Sequence, residues 1–220
     1  MVSRGRPKLR SDAELLASAL AAFAAHGYEG VSLRTLSVNL GLSHSTLGQR
    51  FGSKENLYRT AIDAEFRRFF DEIARQRVSW PPSRDDLNEL RILIYSFLAA
   101  TSQFPALGQL MNQEGAESTW RSDYVIQTVV RPQIAQISGL LDRLRQSGQI
   151  RPISTRGLFF MVAHGAEAPF TLHALSAAFD DIDGGIEPES YIATMTDIIM
   201  SALVATESSD SVASVRSSFA

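Results

Sequence analysis

Several polar side chains between residues 44 and 50 can each hydrogen-bond a base edge or a phosphate group of a nucleic acid. Leu47 and Phe51 lie at helical spacing, so an amphipathic helix would bury these two apolar residues and expose the polar ones. A helix with such an exposed face can read base edges in the major groove of DNA. The candidate contacts on this helix are His44, Ser45, Thr46, Gln49 and Arg50.

The residues on either side predict the elements that would hold this helix against DNA. Ser32 suits a helix N-cap, and three leucines follow it at helical spacing. Gly41 can take the left-handed or turn conformation that ends a short helix at little cost. Ser43 is placed to cap the second helix, which would run from about Ser43 to Phe51. Two short helices joined by a tight turn form a helix-turn-helix, although an ordinary helical hairpin with a polar outer face has the same local pattern.

The charge distribution favours the DNA-binding interpretation. The 220-residue chain has a formal net charge of −3, which does not suit a protein that coats nucleic acid indiscriminately. Residues 1–60, however, hold eight Lys or Arg against four Asp or Glu, whereas the rest of the chain holds 13 basic and 20 acidic side chains. A basic amino-terminal unit on an acidic body is typical of a DNA-reading head whose body does not contact DNA.

The composition argues against several other classes of protein. Without cysteine, the chain can form neither a disulfide nor a thiolate nucleophile nor a cysteine-based zinc site. The four histidines are scattered and no glycine-rich phosphate loop occurs, so we expect neither an enzyme nor a cofactor. His164 and Glu167 would share a helix face, but two ligands do not complete a metal site, so we expect no metal. No apolar run reaches membrane-spanning length and no signal peptide is found, which predicts a soluble, cytoplasmic protein that does not bind a membrane.

Helical periodicity continues on both sides of the helix-turn-helix and predicts an all-α fold. Ser11 and Glu14 have the spacing of a capping box, and the helix that they begin should end at Gly27. Ser53 is placed to cap a long helix that contains neither glycine nor proline as far as about Arg77. This helix would join the head to the body as a rigid rod.

Prolines and glycines predict where the later helices begin, bend or end. We expect helices from Ser83, near Pro105–Glu114, from about Trp120 to Ser147, from Ser154 towards Leu175, and from Pro188. Pro132 and Pro169 should kink or split the helices that contain them, and residues 180–185 should form a loop. The predicted organisation is a basic arm (1–10), a helix-turn-helix domain (11–53), a helical ligand-binding and dimerisation domain (54–206) and a disordered tail (207–220).

From about residue 10 to residue 62 the chain resembles the TetR family of transcriptional regulators. The segments that carry the resemblance are AAFAAHGYEG, VSLRTLSVNLGLS and STLGQRFGSKENLY, in the order found in the family's three-helix head. The body resembles the family in architecture only. The resemblance implies a homodimer that binds a palindromic double-stranded DNA operator, most simply as a repressor, and responds to a small-molecule effector.

The resemblance also implies roles for residues outside the polar face. Arg34 matches a position from which some members reach a guanine, to which an arginine can donate two hydrogen bonds. Lys54, at the amino end of the rod helix, would hold a phosphate, for which Ser32 and Thr35 are further candidates. Ser43 would begin the recognition helix.

Two residues of the predicted recognition helix depart from the family pattern. Gly48 stands where the family usually has an aromatic residue, most often a tyrosine that contacts the phosphate backbone. Arg50 occupies another position that is often aromatic, and it could restore a phosphate or guanine contact. Alternatively, Gly48 simply weakens the helix, by up to about 1 kcal/mol, and the helix becomes ordered on DNA.

The amino-terminal segment supplies one more candidate DNA contact. Arg4 and Arg6 lie in a flexible RGRP sequence directly before the head. An arginine-rich arm of this kind can enter a narrow minor groove, where the negative potential is strong. A solubilising tail is the alternative interpretation.

By the same resemblance, the rod helix and the helices at about 87–101 and 120–147 would enclose an effector cavity. The aromatic side chains expected to line this cavity predict a largely hydrophobic effector. The candidate ligand-binding residues are Phe66, Phe69, Phe70, Phe97, Phe104, Met111, Trp120 and Tyr124.

The helix at 154–175 and the last helix would pair with their copies in a second subunit as a four-helix bundle. The same scaffold could instead serve as an activator or a nucleoid-associated factor. A helical small-molecule carrier, or an enzyme, with a vestigial DNA-binding head is the alternative from another functional class.

Overall fold

A computed structural model describes residues 11–82 and 84–205 of the chain. The predicted all-α fold class is confirmed: within those ranges the structure contains no strand, and the sole extended pairing is a bridge between Ile150 and Val204. The arm with Arg4 and Arg6, the predicted helix start at Ser83 and the tail at 207–220 lie outside the described residues.

The helices up to residue 114 follow the predicted local signals closely. Ser11 and Glu14 form the capping box at the start of α1, and Gly27, at φ +68°, interrupts that helix three residues before it ends. The Asn56 amide donates to the Ser53 hydroxyl at 3.0 Å, which caps the long α4 as predicted. The bounds are α1 Asp12–Gly30, α2 Leu33–Asn39, α3 Thr46–Phe51, α4 Lys54–Val78, α5 Asp86–Gln103 and α6 Pro105–Glu114.

The later helices are more broken than the periodicity predicts. Each of the two long helices expected here contains a π-helical turn shortly before its proline, because a proline has no amide hydrogen for the regular bond to the carbonyl four residues back. The bounds are α7 Trp120–Val125, a π turn Ile126–Val130, α8 Arg131–Gln146, α9 Thr155–Phe160, a π turn Met161–Ala166, α10 Ala168–Thr171, α11 His173–Ala177, α12 Asp180–Asp183 and α13 Pro188–Leu203. The prediction of a loop at 180–185 was therefore wrong for its first four residues, which form α12.

The chain divides into two compact units. The first comprises residues up to 72 together with 103–127, and the second comprises 73–102 together with the chain from 128 onwards. The first unit thus continues beyond residue 53, where the sequence analysis divides head from body. The largest fully buried side chains of the first unit include Tyr58, Phe23, Leu15, Leu47 and Leu57.

The second unit has its own hydrophobic core, formed by α5, α8, α9, α10 and α13. Its buried members include Leu98, Leu141, Leu144, Phe170 and Ile192. No single helix among the described residues is long and apolar enough to cross a membrane; the bent pair α5 and α6 meets the criteria of length and composition only when taken together.

Candidate nucleic-acid interface

The turn between α2 and α3 brings the two short helices into the predicted arrangement. Gly41 has φ +72°, and the Leu42 amide donates to the Ser37 carbonyl at 2.9 Å. Leu36, Leu47 and Phe51 are buried, so the apolar faces of both helices point into the first unit. The polar faces are left on the outside.

The recognition helix is shorter than predicted. It begins at Thr46 rather than at Ser43, because residues 43–45 form a turn in which the Thr46 amide donates to the Ser43 carbonyl at 3.1 Å. The Ser43 and Thr46 hydroxyls lie 2.7 Å apart. A helix of six residues that also contains Gly48 has little intrinsic stability, so packing by Leu47 and Phe51 holds it in place.

The predicted DNA contacts within the described residues lie at the surface. Most are exposed, while Thr46 and Lys54 are partly buried. The exposed ones are Ser32, Arg34, Thr35, Ser43, His44, Ser45, Gln49 and Arg50. Their contact with DNA remains a prediction, but none is sequestered in the core.

The hydroxyls of Ser32 and Thr35 form one connected pair at the start of α2. The Thr35 amide donates to the Ser32 oxygen at 3.1 Å, and the Ser32 hydroxyl donates to the Thr35 oxygen at 2.8 Å. Because Thr35 accepts this hydrogen bond, its own hydroxyl hydrogen can be directed at an outside acceptor such as a phosphate oxygen.

Arg50 lies next to an acidic side chain that was not predicted from the sequence. Its guanidinium Nη2 lies 2.6 Å from Oδ1 of Asp12, in the first turn of α1, and both side chains remain partly exposed. A phosphate or guanine that approaches Arg50 must therefore share the guanidinium with this carboxylate or displace it.

Lys54 is also engaged within the protein. Its Nζ lies 4.1 Å from the centre of the Tyr28 ring and 3.8 Å from a carboxylate oxygen of Glu29. The ring holds the ammonium group at the amino end of α4, where the helix dipole favours an anion such as a phosphate. A second cation, Arg121, contacts the same ring, with its guanidinium carbon 5.0 Å from the ring centre.

Tyr58, Glu114 and Arg121 form a polar network next to the aromatic rings of Tyr28 and Trp120. Tyr58 is fully buried, and its hydroxyl donates to Glu114 at 2.9 Å. Arg121 Nε donates to the same carboxylate at 2.9 Å, so one buried acid joins α4, α6 and α7. Burial raises the pKa of the Tyr58 hydroxyl, and Glu114 raises it further, so this hydroxyl remains a neutral donor. The rings of Tyr28, Tyr58 and Trp120 meet edge to face at 5.3 to 5.7 Å.

The roles of Arg121 and Glu114 could not be predicted, because no local signal in the sequence identifies them. Glu114 and Tyr58 are 56 residues apart in the chain, so their contact depends on the tertiary fold. Trp120 was predicted to line a ligand cavity, whereas the structure places it in this aromatic cluster.

The eight predicted ligand-binding residues fall into separate environments. Phe66, Phe69 and Phe70 pack against one another, and Phe104 packs on Phe69 at 6.0 Å between ring centres. The Tyr124 hydroxyl donates to Asp63 at 2.6 Å. Apart from Trp120, described above, the remaining two are partly buried: Met111 in α6 of the first unit and Phe97 in α5 of the second.

A cavity of about 510 Å³ lies elsewhere, between α10, α11, α12 and the start of α13, and none of the eight lines it. We refer to this cavity, lined by residues of 168–191, as the α10–α13 groove.

His164 and Glu167 do not share a face as the sequence analysis expected. His164 is exposed and stacks on Phe160 at 5.0 Å between ring centres, whereas Glu167 is buried. The π turn at 161–166 is the reason, because a π-helix has more residues per turn than an α-helix. The angle around the helix axis between residues three positions apart therefore changes. Within the described ranges, no group of three or more potential metal ligands is found.

The comparisons with known proteins agree with this geometry. The family model described as bacterial regulatory proteins, tetR family, matches residues 15–61, from α1 into α4. The repressor ComR of Escherichia coli (strain K12) is 40% identical over 67 residues, which are 30% of this chain and 32% of ComR. The amino-terminal head of the chain thus belongs to the TetR family.

Other TetR-family proteins extend the comparison. The repressor AcnR of Corynebacterium glutamicum is 40% identical over 57 residues, which are 26% of this chain and 30% of AcnR. The matched part thus spans about a third of the length of these curated relatives. The structure of the ketosteroid transcriptional regulator KstR2 of Mycobacterium tuberculosis superimposes with a TM-score of 0.66 at 19% identity, over 90% of this chain and 98% of KstR2. The TetR-family fold is therefore present beyond the head, and the predicted family resemblance is confirmed.

Proposed function

We propose that this TetR-family protein is a ligand-responsive transcriptional regulator that binds a palindromic operator as a homodimer and represses transcription. The observation that carries the proposal is the exposed polar surface of α2 and α3, held on a buried apolar core in a TetR-type head. Matched relatives ComR and AcnR are described as transcriptional repressors, which favours repression over activation. A DNA-binding role also implies a cytoplasmic protein.

On this proposal, the side chains of the head divide into base-reading and phosphate-binding groups. Arg34, Gln49 and Arg50 are long enough to reach base edges, and an arginine paired with guanine contributes about 1–3 kcal/mol of discrimination. Thr35 and Lys54 lie at helix amino ends, where backbone amides also attract phosphates.

Exposed apolar side chains in the second unit support the proposed homodimer. Phe160 of α9 is 54% exposed and Ile198 of α13 is 55% exposed, although both helices otherwise pack into the core. Gly157 and Gly165 are three and five residues from Phe160 in the chain, and their lack of a side chain would allow a second copy to approach closely. A C2 dimer that pairs these surfaces would present two heads to the two halves of a palindrome.

Repression would be relieved by a shift of population. An effector that binds the DNA-incompatible state more tightly moves the equilibrium by its difference in affinity and by no more. We propose a small and largely hydrophobic effector.

Selection of bound duplexes from a random DNA pool tests the proposal with the full-length protein. We expect enrichment of a sequence with two inverted half-sites, and light scattering should give a dimer mass for the free protein. A pool without enrichment, together with an absence of salt-dependent DNA binding, would show that the head is vestigial and would favour the carrier alternative.

A further inference from the structure

The α10–α13 groove leaves large apolar side chains uncovered at the surface of the second unit. Leu175 is 61% exposed and Phe179 is 52% exposed, and both line the groove together with Pro169, Leu172 and Ile186. A volume of about 510 Å³ lies within the range of small-molecule sites, about 300–1,000 Å³. The walls therefore offer an apolar surface of a size suited to one small ligand.

The rim of the groove is acidic. Asp180, Asp183 and Glu187 line it, and the lining contains no lysine or arginine. Across residues 168–190 there are five Asp or Glu and no Lys or Arg. The negative charge is thus not balanced by neighbours along the chain.

The three lining carboxylates differ in their local partners. Glu187 accepts hydrogen bonds from the amides of Glu189 and Ser190, so it caps the amino end of α13. Asp180 and Asp183 lie three residues apart on α12, and in the part of the chain that the structure describes neither is in an ion pair. These two carboxylates remain available to a cation in the groove.

We propose that the α10–α13 groove binds a small lipophilic cation, with an apolar body against Leu172, Leu175 and Phe179 and an amine or quaternary ammonium group beside Asp180 and Asp183. Charge complementarity decides the class of ligand. The apolar wall favours any hydrophobic molecule, whereas the acidic rim attracts a cation and repels an anion such as a fatty acid. That this cation is the effector rests on the proposed function.

The groove is connected to the core of the second unit through Tyr191. This side chain lines the groove, and its hydroxyl donates to the Ala166 carbonyl in the π turn at 3.0 Å. Its ring also packs edge to face on buried Phe170 at 5.4 Å. An occupant that contacts Tyr191 therefore touches the segment that joins α9 to α10, which gives bound and empty states a physical means to differ.

Calorimetric titration of the full-length protein tests the site with three probes that share a ten-carbon chain: decyltrimethylammonium, 1-decanol and decanoate, each below its micelle concentration. We expect the cation to bind most tightly and decanoate most weakly. In the variant Asp180→Asn/Asp183→Asn, affinity for the cation should fall about tenfold, while affinity for the alcohol should stay unchanged. Asp181→Asn is the matched control, because Asp181 belongs to α12 but does not line the groove.

A second variant keeps the test informative if the groove has another occupant. Leu175→Ser should weaken binding of both the cation and the alcohol without changing the oligomeric state. If it instead converts a dimer to a monomer, the groove is an interface between copies, and the proposal is wrong. Equal affinity for cation and anion, or equal loss in Asp181→Asn, would also overturn it.

DNA binding is measured separately, so that the two proposals can fail independently. Release of the selected operator by decyltrimethylammonium, lost in Asp180→Asn/Asp183→Asn, supports the cation as effector. Tight cation binding without any operator binding would keep the groove as a cation site and contradict the proposed function. Operator binding without cation binding would support the proposed function and contradict the cation site.

Discussion

At the scale of single residues, the pair Arg50–Asp12 makes the first prediction. If Arg50 binds DNA as proposed, the Asp12 carboxylate and DNA compete for one guanidinium. Asp12→Asn should then tighten operator binding about threefold, in line with the 0.2–1 kcal/mol typical of exposed ion pairs. Arg50→Ala should weaken binding and remove the effect of Asp12→Asn. Fluorescence anisotropy of a labelled operator measures all four combinations as a double-mutant cycle. Weaker binding by Asp12→Asn alone would mean that Asp12 orients Arg50 for DNA.

The position of Lys54 makes a second prediction at this scale. If its ammonium group binds a phosphate, Lys54→Ala should reduce affinity nearly uniformly across DNA sequences. The slope of log K against log salt should become shallower by about one unit, because one fewer counterion is released. Arg67→Ala is the control, since Arg67 is an exposed cation further along the same helix. An altered base preference in Lys54→Ala would instead indicate a base contact.

At the scale of elements, the carboxylate of Glu114 joins α4, α6 and α7. Arg121→Met would leave this buried acid without its cation, so the free energy of unfolding of the first unit should fall by about 3 kcal/mol. The double variant Glu114→Gln/Arg121→Met should recover part of that loss. Urea unfolding followed by Trp120 fluorescence, in a Trp80→Phe background, reports on the first unit. Equal stability of Arg121→Met and the parent would show that the pair contributes nothing.

The elements that could be predicted are those whose signals are local. The Ser11–Glu14 capping box, the Gly41 turn and Pro188 at the start of α13 act within a few residues of themselves, so the sequence alone identifies them. The sequence also predicts that Pro169 disrupts a helix, but not that the disruption takes the form of a π turn.

The polar surface of the candidate site could likewise be predicted, but its internal partners could not. Asp12 lies 38 positions before Arg50, and the partner of Tyr58 is 56 positions away. Such contacts depend on how the helices pack. The α10–α13 groove could not be predicted either. Most of it is formed by α10, α11 and α12, which at four or five residues are too short to give a periodic pattern in the sequence.

At the scale of the whole molecule, Glu167 makes stability depend on pH. It is only 5% exposed, and burial raises the pKa of its carboxyl to about 7, although a hydrogen bond with Thr101 partly opposes the rise. Between the ordinary pKa of 4.5 and about 7, the unfolded chain loses this proton while the folded chain keeps it. The free energy of unfolding should therefore fall by about 2–3 kcal/mol as the pH rises through this window.

Comparison with Glu167→Gln isolates this contribution. The side chain of this variant cannot lose a proton. The free energy of unfolding of the variant should therefore rise relative to that of the parent as the pH increases from 4.5 to 7. Glu117→Gln, at an exposed position, is the control and should follow the parent at every pH. A constant gap between Glu167→Gln and the parent would mean that the carboxyl ionises equally in both states.

The first unit is formed by two separate segments of the chain, and this determines when that unit can finish folding. A ribosome releases the chain in order, so residues 103–127 emerge only after the 30 residues of 73–102 have been made. Until then Tyr58 lacks Glu114, and the ring of Tyr28 lacks Trp120 and Arg121. A nascent chain that ends at residue 72 should thus be cut readily by protease, whereas one released to residue 127 should resist. The segment proposed to read DNA is thus completed only by residues that are synthesised later, at 103–127.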